Sequence, residues 1–317
     1  PKKPLPSSKV PILAIGVMLG LCFSTTTVLF LESRDKSIKT LKEVRELFRY
    51  PLLGVIPFLG KKASFLNGKT KSTIPEIPAR DKPFSQVSEL YRMIQTKLKL
   101  RLDKKLKTIV VTSSVPQEGK STVSANFAVT LAQLGRRVLL IDADLRHPAQ
   151  HQIWEISNAT GLSEVIIGKT DLETTVCQVM DNLDVLTAGT MPPNPLAIFD
   201  SQSMAALMQE VSEQYDFVII DTPPLTLAAH TLTLNQMTDG TILVTRLGLV
   251  DVKSVNATKE ILEQLDRKVL GLVVNGVIHK DELSGYLKQD QNYFIEENST
   301  ISEPAKNYQH KKYLEHF

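Results

Sequence analysis

The chain has 317 residues, of which 42% are hydrophobic and 22% charged, with 37 basic and 34 acidic side chains and a formal net charge of +3. The basic residues concentrate in 1–9 and 32–71 and leave 72–317 net acidic, which argues against nucleic-acid binding, since that relies on basic surfaces. The two cysteines, Cys22 and Cys177, lie far apart and indicate no disulfide framework.

The first predicted element is a membrane span. Residues 10–31 contain no charged side chain, and as a helix they would be roughly 33 Å long at 1.5 Å per residue, enough to cross a bilayer. A cleaved signal peptide and a buried core helix are the alternatives. The basic residues that follow favour a cytoplasmic C-terminal side and suit contact with anionic membrane lipids. We therefore expect a proline-rich periplasmic stub at 1–9 and a transmembrane helix at 10–31.

Residues 32–80 form the predicted juxtamembrane linker. A short helix is expected around 37–49, followed by the apolar patch 52–57 and by a stretch rich in Lys, Ser and Pro. This apolar patch is predicted to dock onto the next domain, and the alternative is that the segment is a solvated tether. A second helix is expected from Phe84 to about Leu102. There Glu89 and Arg92 have the spacing of an i,i+3 surface ion pair.

A phosphate-binding loop follows. Residues 108–112 are β-branched and predict a buried strand, and the pattern from Ser121 to Leu134 predicts a helix that ends at Gly135. Between them lies Ser-Ser-Val-Pro-Gln-Glu-Gly-Lys-Ser-Thr, in which Ser114 replaces the glycine of the strict motif. Backbone N–H groups and the positive end of the helix would surround an anion. The predicted nucleotide-binding residues are Ser114, Pro116, Gln117, Glu118, Gly119, Lys120, Ser121 and Thr122.

The chemistry of this loop predicts ATP as the nucleotide and Mg²⁺ as the cofactor. Lys120 is expected to reach the β and γ phosphates. The Ser121 hydroxyl is expected to hold Mg²⁺, which prefers oxygen ligands, and Thr122 to support the α phosphate.

Two later strands end in aspartate. Asp142 and Asp221 each follow an apolar run typical of a buried parallel strand, and open α/β sheets bind ligands at the carboxyl ends of such strands. Asp221 is expected to hold Mg²⁺ through water, and Asp142 to ligate the metal or accept a proton from an attacking hydroxyl. Asp144 and Arg146 would orient substrate or phosphate, or else form an ion pair in a solvated turn. The fold class predicted is α/β, a doubly wound and mostly parallel sheet.

Four of the seven tyrosines follow the last predicted strand. The stretch 281–317 has too few apolar residues to pack alone, so we predict a flexible tail. Its tyrosines would be accessible phosphate acceptors, with incidental aromatic residues as the alternative. They are Tyr286, Tyr293, Tyr308 and Tyr313.

Three motifs follow one another in the chain: the phosphate loop at 113–122, Ile-Asp-Ala-Asp-Leu-Arg at 141–146 and Ile-Ile-Asp-Thr-Pro-Pro at 219–224. In this order they closely resemble the Wzc-like bacterial tyrosine kinases fused to polysaccharide co-polymerases, and the resemblance extends over nearly the whole chain. The resemblance implies a MinD-like deviant P-loop NTPase fold and tyrosine autophosphorylation. It implies that Asn275 contacts the adenine, with a turn residue before Gly276 as the alternative. The nucleotide, metal and catalytic roles of that family would fall on Lys120, Ser121, Asp142, Asp144 and Asp221.

The resemblance also implies partners. Glu89 and Arg92 match an oligomerisation helix, and so imply a homo-oligomer such as a ring, although Gln95 replaces the second arginine of that pattern. Neighbouring subunits would phosphorylate each other's tails, a tyrosine phosphatase would reset them, and the linker would activate the kinase in cis. The polysaccharide polymerase and export machinery would be further partners at the inner membrane. The chain would then be the C-terminal part of such a protein, with residues 81–280 as its cytoplasmic kinase domain.

The leading hypothesis is therefore an ATP-dependent protein-tyrosine autokinase that regulates exopolysaccharide or capsule polymerisation and export. A MinD-like ATPase switch that controls partner binding without modifying tyrosine is the first alternative. Val115 argues against it, because MinD relatives place a second lysine at that position. A structural co-polymerase with a silent nucleotide domain is the second alternative.

Overall fold

The computed structural model of this chain describes residues 9–34, 36–59, 76–101, 106–227, 230–264, 269–278 and 282–287. The strands are β1 Leu52–Pro57, β2 Thr108–Ser113, β3 Val138–Asp142, β4 Cys177–Met180, β5 Leu183–Leu186, β6 Phe217–Asp221, β7 Gly240–Arg246 and β8 Val269–Val277. The helices are α1 Lys9–Arg34, α2 Leu41–Phe48, α3 Pro78–Asp81, α4 Gln86–Arg101, α5 Lys120–Ala132, α6 Gln150–Trp154, α7 Leu162–Ile166, α8 Leu172–Thr175, α9 Pro195–Phe199, α10 Gln202–Gln214, α11 His230–Gln236 and α12 Val252–Gln264. Residues 282–287 are also helical.

The strands form one sheet in the order β1-β8-β7-β2-β6-β3-β5-β4, in which β4 alone pairs antiparallel. The central strands are continuous apolar runs because helices cover both faces of the sheet. In β2, Ile109 and Val111 pack with α4 and α5, whereas Val110 packs on the opposite face with α10. The prediction of a mostly parallel α/β sheet with helices on both faces is confirmed.

The strand order places the predicted acidic residues beside the phosphate loop. Strand β6 lies between β2 and β3, and Asp142 is the register partner of Asp221 across β3 and β6. Val111 of β2 is in turn the partner of Asp221. The loop that leaves β2 and both carboxylates are therefore at the same carboxyl edge of the sheet.

The apolar patch of the linker is a strand of the same sheet. Strand β1 pairs parallel with β8, and Leu53, Val55 and Ile56 are fully buried. Helix α4 crosses β1 so closely that a Cβ at Gly54 would lie 2.4 Å from the Ile94 side chain, which explains why glycine occupies this position. Residues 52–57 are therefore docked in the sheet and are not a free tether. The predicted linker, which ends at residue 80, thus includes a strand of the sheet of the predicted kinase domain.

Helices α2 and α4 lie close to the ranges that the sequence predicted for them. Helix α2 begins after Thr40, whose hydroxyl accepts a hydrogen bond from the Glu43 N–H, and it buries Val44 and Phe48. Helix α4 occupies most of the predicted range 84–102.

Helix α1 covers the whole of 10–31. Among the residues that the structure describes, no helix is both long enough and apolar enough to cross a membrane.

The predicted flexible tail begins with a packed segment. Tyr286 is only 7% exposed, and its hydroxyl accepts a hydrogen bond from the Lys97 ammonium at 2.8 Å. Leu283 and Leu287 pack against the core beside it. These three residues have i, i+3, i+4 spacing and so form one apolar stripe, a signal that the overall polarity of the tail obscured. The expectation that Tyr286 is an accessible acceptor is corrected, and Tyr293, Tyr308 and Tyr313 lie outside the described residues.

Candidate active site

The phosphate loop leaves β2 and enters α5 through Gly119. This residue has a φ of +90°, and a Cβ there would lie 2.0 Å from the Asn275 amide nitrogen, so both conformation and space require glycine. Gln117 also has a positive φ, at 65°, whereas Ser114 does not. Because Ser114 has an ordinary backbone conformation, the loop folds without the glycine of the strict motif.

The Glu118 side chain links the phosphate loop to the end of β7. Its carboxylate is fully buried and accepts hydrogen bonds from the Val115 N–H at 2.7 Å, the Thr245 hydroxyl at 3.0 Å and the Arg246 N–H at 3.1 Å. Its carbonyl oxygen accepts from the Asn275 amide at 2.9 Å. Glu118 and Asn275 were both predicted to bind nucleotide. In the structure their hydrogen bonds hold the phosphate loop against the ends of β7 and β8.

The natural chain is expected to lose folding stability as pH rises and Glu118 ionises, and replacing Glu118 by glutamine should remove this loss. Burial raises the pKa of Glu118 from 4.5 to about 7, against the opposing hydrogen bonds from Val115 and Arg246. Between these values the folded chain keeps a proton that the unfolded chain releases, so the free energy of unfolding falls as pH rises and stays lower above pH 7. At about 1.36 kcal/mol per pKa unit, the full penalty is roughly 3 kcal/mol.

Urea unfolding of both chains between pH 5 and pH 8 measures this effect. The stability of Glu118→Gln relative to the natural chain should improve by about 1–3 kcal/mol as pH rises across that range. A difference that stays constant with pH would contradict the assignment.

Asp142 and Asp221 are both fully buried. Asp142 accepts backbone N–H bonds from Ala149 and Gln150, each at 2.9 Å, and from Asp144 at 3.2 Å. Burial, and next the charge of Asp221, raises the pKa of Asp142 to about 8. Burial also raises the pKa of Asp221, although the attraction of Lys120 opposes it. Two carboxylates so close in a dry site resist ionising together unless a cation balances them.

Lys120 supplies part of that balance. Its ammonium forms an ion pair with Asp144 at 2.9 Å, and its side chain is 13% exposed. Burial acts to lower the pKa of Lys120, but the charges of Asp221 and Asp144 outweigh it, so that the pKa lies above its ordinary value. The lysine therefore remains a cation in the site. Arg146, two residues past Asp144, is exposed.

The residues present fit Mg²⁺. Oδ1 of Asp221 is buried and has no hydrogen-bond partner in the described part of the chain, which leaves a carboxylate oxygen available to a cation or its water. Ser121 is the second residue of α5, and a hydrogen bond from its side chain acts to lower the pKa of Asp221. Within the described ranges no group of three or more His, Cys, Asp or Glu side chains could enclose a metal by itself. Mg²⁺ is commonly held by one or two carboxylates together with substrate phosphates.

Sequence reasoning missed Gln150, which is fully buried between the two carboxylates. Its side-chain amide donates to Asp221 at 2.8 Å and to the Ser121 carbonyl at 3.1 Å. No local pattern marks a glutamine that reaches residues 29 and 71 positions away. The sequence itself shows only an amide residue eight positions after the acidic strand end at Asp142.

The predicted interface residues pair within the chain. The Arg92 guanidinium contacts the Glu89 carboxylate at 3.0 Å and donates to the Pro83 carbonyl at 2.7 Å. This is the surface-pair alternative, and an interface between subunits stays a prediction.

The chain is similar to a P-loop NTPase family model and to proteins named as tyrosine-protein kinases. Residues 105–308 match the ParA family model described as NUBPL iron-transfer P-loop NTPase. The chain is 39% identical over 218 residues to the tyrosine-protein kinase YwqD of Bacillus subtilis strain 168, covering 68% of this chain and 92% of that protein. It is 29% identical over 289 residues to the tyrosine-protein kinase etk of Escherichia coli K12, covering 88% of this chain but 40% of that protein.

The fold is also similar to that of a solved structure. The chimerical protein CapA2B2 has a TM-score of 0.68 and 31% sequence identity, and the superposition covers 76% of this chain and all of that one.

Proposed function

The chain belongs to the bacterial tyrosine-protein kinases built on a ParA-type P-loop domain, and from this premise we propose that it transfers the γ-phosphate of ATP to tyrosines of its own tail. The observation that carries the proposal is the meeting of Lys120, Asp142 and Asp221 at the carboxyl edge of the sheet, beside the phosphate loop. This arrangement supplies a cation for phosphate and a carboxylate for the attacking hydroxyl.

Nucleotide binding exchanges the partners of Lys120. The ion pair with Asp144 holds the ammonium at the loop, where β and γ phosphate oxygens compete for it. The backbone N–H groups at the start of α5 face the same phosphates. Ser121 and Asp221 are the residues that would hold Mg²⁺, which when bound neutralises charge on the phosphate oxygens.

Proton transfer falls to Asp142. As the tyrosine oxygen bonds to the γ phosphorus, the bond to the β–γ bridging oxygen breaks, ADP leaves with that electron pair, and the tyrosine proton passes to a carboxylate. Burial and the charge of Asp221 raise the pKa of Asp142, which makes its carboxylate a stronger proton acceptor than an exposed aspartate. Three backbone N–H donors hold Asp142 in place.

The membrane setting is part of the proposal. The sequence of residues 10–31 carries no charge over 22 positions, which supports a transmembrane anchor in the inner membrane with the ATP site on the cytoplasmic side. By the resemblance given above, the kinase works as a homo-oligomer with the polysaccharide polymerase and export machinery, and a tyrosine phosphatase reverses its action. Strand β1 joins the linker to the kinase sheet, which supports regulation of the kinase by the linker in cis.

A mixing experiment tests phosphorylation in trans. The acceptor is the full chain with Lys120→Met, and the donor is the full chain with Tyr293, Tyr308 and Tyr313 changed to phenylalanine. With Mg²⁺ and ATP, the donor should phosphorylate those three tyrosines of the acceptor, and Tyr286 should stay unmodified because it is buried.

The control gives the donor Lys120→Met as well, and no label should then form. An acceptor that stays unmodified while the natural chain labels itself would restrict the reaction to a single subunit and contradict phosphorylation in trans.

A further inference from the structure

The side chain of Gln150 links the residues assigned to Mg²⁺. Its Nε2 donates to Oδ2 of Asp221 at 2.8 Å and to the carbonyl oxygen of Ser121 at 3.1 Å. Its backbone N–H donates to Oδ2 of Asp142 at 2.9 Å. One residue at the start of α6 thus contacts both acidic strand ends and the first turn of α5.

Trp154 fixes the orientation of this amide. The indole Nε1–H, one turn later in α6, donates to Oε1 of Gln150 at 3.2 Å. An indole nitrogen can only donate, and an ionised carboxylate can only accept. The amide therefore satisfies both neighbours in one orientation, with Oε1 towards Trp154 and Nε2 towards Asp221. Trp154 is itself 6% exposed, and the Arg80 guanidinium lies 5.5 Å from the centre of its ring.

The hydrogen bond from Gln150 separates the two oxygens of Asp221. Oδ2 is occupied by the amide, whereas Oδ1 is buried without a hydrogen-bond partner among the described residues. A rotation of the carboxylate that breaks the bond to Gln150 would leave one hydrogen of this buried amide without an acceptor, which is unfavourable. The amide thus keeps Oδ1 directed to the remaining side of the site.

We propose that Gln150 is a positioning residue for Mg²⁺–nucleotide binding, and that Trp154 maintains its orientation. This rests on the proposed function, since it concerns the same site. Gln150 does not touch the reacting atoms; it holds Asp221 and the first turn of α5 in one geometry. A neutral donor serves here because it adds no charge beside Lys120.

The chain offers a direct optical readout. Trp154 is its single tryptophan, and one side chain separates it from Asp221. Binding of Mg²⁺ with ADP should therefore change the tryptophan fluorescence of the natural chain. ADP in the presence of EDTA should produce a smaller change, because Asp221 is then not engaged.

The test replaces Gln150 by methionine, which keeps the length of the side chain but cannot donate. The Mg²⁺ concentration needed for half-maximal ADP binding should rise about tenfold, and the Mg²⁺-specific fluorescence change should disappear. The affinity for ADP in EDTA should not change. The matched control is Gln133→Met, whose amide donates to the Ala79 carbonyl roughly 18 Å further along α5 and should leave the Mg²⁺ dependence as it is.

Trp154→Phe provides a second variant should Gln150→Met fail to fold. It keeps Gln150 but removes the indole donor, so a smaller increase in the Mg²⁺ requirement is expected, measured by calorimetry. An unchanged Mg²⁺ requirement in a folded variant would overturn the proposal. Because these readouts use ADP, they are separate from the proposed function: a natural chain that binds Mg²⁺ and ADP but modifies no tyrosine would overturn the kinase assignment alone.

Discussion

Replacing Lys120 by methionine is expected to lower the rate of tyrosine phosphorylation by about a thousandfold. The ammonium lies 2.9 Å from Asp144 at the phosphate loop, and Asp221 and Asp144 keep the pKa of Lys120 above its ordinary value. It is therefore a fixed positive charge beside the position where we propose that the γ phosphate binds. Methionine has similar length and no charge, so it tests the charge and not the volume.

Incorporation of phosphate from γ-labelled ATP measures this effect. Lys97→Met is the matched control, because Lys97 is also buried but contacts Tyr286 far from the phosphate loop. This control should retain phosphorylation. Thermal melting of both variants shows whether each is folded, and undiminished labelling of a folded Lys120→Met chain would contradict the site.

Replacing Asp221 by asparagine is expected to reduce phosphorylation by about a hundredfold or more and, at the same time, to stabilise the fold in the absence of Mg²⁺. Asp221 is fully buried, and burial raises its pKa, so its ionised form costs folding free energy. The sign follows: the folded chain holds the proton more tightly than the unfolded chain, so stability falls as pH rises above the ordinary pKa of aspartate. A neutral amide avoids this cost but gives Mg²⁺ a weaker ligand.

Opposite changes in activity and melting temperature at neutral pH are the expected signature of Asp221→Asn. Asp239→Asn is the control. Asp239 accepts hydrogen bonds from the backbone of Lys107 and Thr108, at the other end of the sheet. It should lose stability and keep activity. A folded Asp221→Asn chain with full activity would show that Asp221 does not serve the reaction.

The site core could be predicted because its signals are local. The strand β2, the loop and α5 are consecutive in the chain, and each acidic residue directly follows an apolar run. Parallel strands align their carboxyl ends, so the meeting of Asp142 and Asp221 follows from their place at strand ends.

What the sequence did not predict depends on distant contacts. Strand β1 pairs with β8 more than 200 residues later, and Tyr286 packs against Lys97 across 189 residues. The side chain of Glu118 lies within the loop motif, but its direction is set by Thr245 and Arg246 of β7. No periodicity in the local sequence specifies such partners.

The fate of the γ-phosphate in a single sample tests the central claim most directly. The full 317-residue chain in detergent is incubated with Mg²⁺ and γ-labelled ATP, and free phosphate and phosphotyrosine are quantified together, with mass spectrometry to locate the modified residues. We predict phosphate on Tyr293, Tyr308 or Tyr313, and its loss in Lys120→Met. Release of free phosphate with an unmodified tail would contradict the kinase and identify an ATPase switch.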